Sequence, residues 1–129
     1  MYRPLSPHLR IYRLPFNALL SIAHRLSGVV LSLGLLFLVY LLYAAARGPE
    51  SFRAVHVLFG AWTGRLLLLV FSYALLFHLC AGIRHLVWDA GRGLEPGTAE
   101  RSGWVVVVAS VALTGLVWGI AWWRVTAGQ

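Results

Sequence analysis

Apolar residues arrive in three long blocks along this chain, at about residues 18–46, 58–88 and 103–124, with glycine, proline and charge between them. Each block supplies the roughly 20 apolar residues that a helix needs to cross a bilayer. The pattern predicts three transmembrane helices and a single membrane-anchor domain spanning residues 1–129, with an extended lead-in over residues 1–17. The polar exceptions inside the blocks are few and regularly spaced. Ser21, His24, Arg25 and Gly28 fall at i, i+3, i+4 and i+7, a single stripe in the opening two turns of the first helix. His78, Gly82, His85 and Asp89 follow at steps of four, three and four, one face of the second.

Composition agrees with the pattern. The chain is 60% hydrophobic and 12% charged, against roughly a quarter charged residues in a soluble domain. Three buried core helices in a soluble fold would need a polar shell that this sequence does not contain. The net charge of +7 comes from arginine alone, and the arginines flank the apolar blocks instead of forming one patch. That placement suits anionic headgroups better than nucleic acid. Cys80 is the lone cysteine, so no disulfide framework exists and a packing role is expected. The proline-rich first sixteen residues lack the apolar core of a signal peptide.

Three spans put the two ends of the chain on opposite sides. Arg3, Arg10, Arg13, Arg25, Arg84, Arg92 and Arg101 fall on one side, and Arg47, Arg53, Arg65 and Arg124 on the other. Seven against four orients the N-terminus toward the cytoplasm. Trp122, Trp123 and Arg124 then form an anchor at the far interface, a part that Trp62 and Trp88 could play for the second helix. If that helix enters near Arg65 and leaves near Arg84, its rise is about 28 Å, and His78 lies about 9 Å inside the boundary. The stripe of Ser21, His24 and Arg25 enters from the same side, so the two polar faces converge at similar depth.

An ionisable residue at such a depth is costly and usually marks an ion path, a cofactor or a proton relay. His78 can be an axial iron ligand, with Gly82 leaving clearance for a flat macrocycle and Arg25, His24 and Arg84 available to anionic propionates. It can also be an ordinary interhelical hydrogen-bonder beside a glycine contact. His85 reads as an interfacial hydrogen-bonder whose ring Asp89 could orient. One imidazole fills one axial position, so a six-coordinate iron requires a second histidine or a second chain.

Three segments then carry a resemblance: Arg3-Pro-Leu-Ser-Pro-His-Leu-Arg-Ile-Tyr-Arg13, Ser21-Ile-Ala-His-Arg-Leu-Ser-Gly28 and His78-Leu-Cys-Ala-Gly-Ile-Arg-His-Leu-Val-Trp-Asp89. In this order they make the chain resemble the cytochrome b subunits of succinate dehydrogenase, the larger membrane anchor of complex II. The resemblance covers roughly the first two thirds of the chain; the third helix agrees only in length and position.

It implies an all-α integral membrane protein packed with a second small anchor subunit around haem b. By the same resemblance His78 matches an axial haem ligand, and His24 and Arg25 match residues near the propionates. Arg84 and His85 take a supporting role there. Ser21 and Arg25 match residues lining a pocket for a quinone, ubiquinone or menaquinone. The second anchor is expected to supply the other ligand, and an iron–sulfur and a flavoprotein subunit to deliver electrons from succinate. The implied location is the bacterial inner membrane, in contact with lipid and with no nucleic acid. Alternatives are the cytochrome b anchor of another redox enzyme, such as a fumarate reductase or hydrogenase, and a cofactor-free membrane scaffold.

Overall fold

The structure, a computed structural model, describes residues 13–128. The segment Arg3–Arg13, but for its last residue, and His8 with it, lie outside the described residues. Four helices follow in order: α1 (Phe16–Arg47), α2 (Pro49–Gly60), α3 (Trp62–Asp89) and α4 (Pro96–Ala127). No strand occurs among the described residues. The helices α1, α3 and α4, of 32, 28 and 32 residues, are each long and apolar enough to cross a membrane. At 1.5 Å per residue they exceed the roughly 30 Å of a hydrocarbon core, so their ends reach into the headgroup layer.

Their outer surfaces are apolar as well as their contacts. Leu36 is 70% exposed and Trp62 76%, which is sensible only where lipid or another subunit supplies the cover.

The fourth helix, α2, lies where the sequence pattern suggests only a loop and the start of the second span. Residues 58–60 belong to α2, and the chain breaks at Ala61, which is extended at φ −66°, ψ 154°. The local chemistry explains the break from α1. Gly48 adopts φ 117° between the two helices, a conformation that a side chain would resist. Pro49 follows at the first helical position and Glu50 in the first turn, where a missing N–H and a negative charge both suit a helix start. The ring of Phe59 then packs on Phe37 of α1, centroids 4.8 Å apart.

Packing between α3 and α4 follows a stripe of small residues. Ala74, Phe77, Ala81 and Arg84 are the buried residues along one face of α3, and Val106, Ser110 and Thr114 along one face of α4, with Gly103 on the same α4 face. Spacings of three and four keep each set on one face. Without a hydrophobic driving force between helices in lipid, such close backbone approach is what holds spans together. The hydroxyls of Ser110 and Thr114 donate to carbonyls of their own helix, at 2.9 and 2.7 Å, so they cost little inside this seam. Gly103 also admits α1: a Cβ there would lie 2.6 Å from Leu20 Cδ1 and 2.9 Å from Phe16 Cε1. Phe16 stacks on Trp104 at 4.7 Å. Helix α1 is the least covered of the three, and this leaves one flank of the site open.

Candidate functional site

Helix periodicity brings His24 of α1 against His78 and His85 of α3. The ring centroids of His24 and His78 are 4.2 Å apart, and those of His24 and His85 4.9 Å. The two polar faces read from the sequence therefore do meet, on neighbouring helices. No group of three His, Cys, Asp or Glu side chains among the described residues is arranged to hold a bare metal ion. The three rings lie beside one another; they do not aim donors at one point.

Each ring is held differently. His78 Nδ1 lies 2.9 Å from the Ser27 hydroxyl, which itself donates to the His24 carbonyl at 2.7 Å. His85 Nδ1 donates to the Ala81 carbonyl at 2.8 Å. The expected link from Asp89 to His85 is absent: that ring nitrogen is already taken by its own helix, and Asp89 is exposed. The Nε2 atom of His24 is buried and has no hydrogen-bond partner among the described residues. Leaving such a nitrogen unpaired costs about 1–3 kcal/mol.

Glycines shape the space around these rings. At Gly28 an added Cβ would come within 3.3 Å of His78 Cε1, so the missing side chain lets α1 pass close beside the imidazole. At Gly82, one turn beyond His78, an added Cβ would meet nothing within 4 Å. The face beyond His78 is open. On the other side of His78, away from Gly82, a groove of about 1050 Å³ runs along α1 and α3, with Arg25, Gly28 and His78 among its lining residues and Leu35, Phe71 and Leu75 among its apolar ones. Arg25 is exposed and makes no side-chain hydrogen bond among the described residues. Ser21, half-buried one turn earlier on α1, does not line the groove.

Arg84 has a different setting from the one its spacing suggests. It is only 8% exposed, and its guanidinium reaches across the bundle. Nε donates to Ser102 Oγ at 3.0 Å, and one terminal nitrogen donates to Asn17 Oδ1 at 2.6 Å and the Ala99 carbonyl at 2.7 Å. Its charge also lies 4.0 Å over the Trp88 ring. These bonds tie α1, α3 and α4 together at one end of the bundle, and Trp88 donates in turn to the Gly93 carbonyl at 3.0 Å.

Ser27, Asn17 and Ser102 are thus site and support residues that the sequence reading passes over. For Ser27 a signal existed: it sits three residues after His24 and one before Gly28, inside the polar stripe. Asn17 and Ser102 carried none, because their partner is remote in the chain.

These observations define a class: a helical membrane protein with three spans and an imidazole cluster of which one member, His78, lines an open apolar groove. Residues 1–117 match the family model described as succinate dehydrogenase/fumarate reductase transmembrane subunit. The chain belongs to that family. It is 41% identical over 111 residues to a succinate dehydrogenase cytochrome b556 subunit of Paracoccus denitrificans, covering 86% of this chain and 85% of the relative. The subunit of that name from Rickettsia typhi is 40% identical over 116 residues, 90% of each chain. The cytochrome b560 subunit of Reclinomonas americana is 37% identical over 121 residues, 90% of this chain and 84% of the relative.

Proposed function

We infer that this chain is the haem b-binding membrane anchor of a succinate:quinone oxidoreductase, with His78 as one axial ligand of the haem iron. The observation that carries this reading is the His78 imidazole on the wall of the open groove, its Nδ1 engaged and its Nε2 without a hydrogen bond among the described residues. Two further features fit a flat, anionic macrocycle. The unpaired buried Nε2 of His24 needs a partner, which a propionate oxygen would supply. The empty space beside Gly82 gives clearance next to the ligand. A haem held there supplies a one-electron redox centre in a low-dielectric setting.

The chain's own residues have simpler tasks. His78 contributes a neutral nitrogen donor, and His24 and Arg25 bind anionic groups toward the nearby membrane boundary. His85 supports the cluster from below, and Arg84 holds the helices in register around it. A quinone gains negative charge on its oxygens as electrons arrive. Arg25 stabilises that charge and Ser21 donates a hydrogen bond to it, the two standing one turn apart on α1. The partners in this reading are a second small anchor subunit, which closes the groove and supplies the other ligand, together with an iron–sulfur and a flavoprotein subunit. The N-terminus faces the cytoplasm of a bacterial inner membrane in this reading, the side that the arginine bias favours.

The test is an optical difference spectrum of reduced minus oxidised membranes carrying the co-expressed subunits, for the native complex and for His78→Ala. The native complex is expected to show b-type haem bands, and the variant to lose them. Equal haem in both would refute the ligand assignment, and absence of haem from the native complex would leave a cofactor-free anchor.

A further inference from the structure

The hydroxyl of Ser27 sits between two groups whose roles are not symmetric. The His24 main-chain carbonyl, 2.7 Å away, can only accept, so the single hydroxyl hydrogen of Ser27 is committed to it. Toward His78 Nδ1, at 2.9 Å, the Ser27 oxygen is then left with its lone pairs. The hydrogen in that contact must come from the ring. His78 is held as the tautomer with its proton on Nδ1 and a bare Nε2.

We propose that Ser27 is the positioning residue for the iron-binding imidazole: through Nδ1 it selects the tautomer, fixes the ring plane and raises the donor strength of Nε2. This rests on the reading of His78 as a haem ligand. Three observations make the arrangement more than a chance contact. Ser27 is buried, so water does not compete for the ring proton. Gly28, its neighbour, lets the ring approach α1 to within 3.3 Å of where a Cβ would be. The hydroxyl belongs to α1 and the ring to α3, so the bond carries the spacing of two spans to the ligand. A metal-bound imidazole that donates its second N–H to an oxygen is a stronger donor, and loss of such a partner typically costs about 10–100-fold in metal affinity. A weaker donor favours the reduced iron, so the acceptor at Ser27 holds the haem potential down.

The test uses the intact complex in membranes, with haem content, haem midpoint potential and the low-temperature electron paramagnetic resonance spectrum as readouts. Ser27→Ala is expected to shift the potential to more positive values, to alter the resonance of the oxidised iron and to make the haem easier to extract. Ser27→Thr, which restores a hydroxyl, is expected to return all three toward the native values. A native potential and spectrum in Ser27→Ala would overturn the proposal.

Should the alanine variant hold no haem, Ser27→Thr and the near-isosteric Ser27→Val decide the matter. Haem retained in Thr and lost in Val supports the hydroxyl, whereas the same behaviour in both assigns Ser27 to packing and overturns it. His78→Ala separates the two layers of the argument. If His78→Ala keeps its haem, the ligand reading fails. If it loses haem while Ser27→Ala keeps the native potential, only the role of Ser27 fails.

Discussion

Arg84 and Asn17 stand 67 positions apart in the chain and meet at 2.6 Å, guanidinium to side-chain carbonyl. With Ser102 Oγ and the Ala99 carbonyl as further acceptors, this bond makes one cation the junction of three spans. A charge buried without carboxylate partners persists only where its donors are satisfied. Arg84→Leu removes the donor and leaves Asn17 Oδ1 and the Ala99 carbonyl without it, while Ser102 keeps its own bond to Ala99. The expected loss is on the order of 2–3 kcal/mol, seen as earlier thermal dissociation of the complex at otherwise unchanged haem chemistry. Arg84→Lys should recover part of it, because an ammonium cannot span the same fork of acceptors.

His85→Ala serves as the control for the haem assignment. Its Nδ1 bonds its own helix and, unlike His78, it does not line the groove, so the proposed reading gives it a supporting part beside His24. The variant should retain the b-type bands that His78→Ala loses. Difference spectra normalised to the amount of purified complex would show the contrast, and equal losses in the two variants would place His85 at the iron.

Arg25→Leu should separate two activities of the assembled complex. Removing one preorganised donor from a site of developing charge typically costs about 10²–10³-fold. Quinone reduction is expected to fall on that scale, while electron transfer from succinate to a soluble dye stays near native. Ser21→Ala should cause a smaller decrease in the same assay. Parallel loss of both activities in Arg25→Leu would assign the arginine to assembly instead.

Gly103→Leu tests the close passage of α1 and α4. Even a Cβ would press on Leu20 and Phe16, and a branched side chain has nowhere to go without parting the helices. Overpacking of this kind costs about 1–3 kcal/mol. The variant should assemble poorly at higher temperature, as blue-native electrophoresis after a heat step would report, whereas Gly115→Leu, with nothing within 4 Å of its Cβ position, should not.

The three spans and the convergence of His24 with His78 were readable because each depends on local periodicity and depth along a helix. The short helix α2 was not. Its apolar residues Val57, Leu58 and Phe59 run on toward the next span in sequence, and only the extended backbone at Ala61 divides them. The Pro49 and Glu50 signals of a helix start were present, but length favoured a loop. Arg84 shows the other limit. Its spacing assigns a helix and a turn, while its partners come from α1 and α4 and are fixed only by how the spans pack. Asp89 looked poised to orient His85, yet the ring bonds the carbonyl of Ala81, four residues back on its own helix.

The groove along α1 and α3 has a floor and one bank. A guest lying there can depart sideways without any span having to move, so its residence is governed by the neighbour that seals the flank. Purified alone in detergent, this chain should give up such a guest readily, and under the proposed function cofactor loading and subunit pairing become a single event.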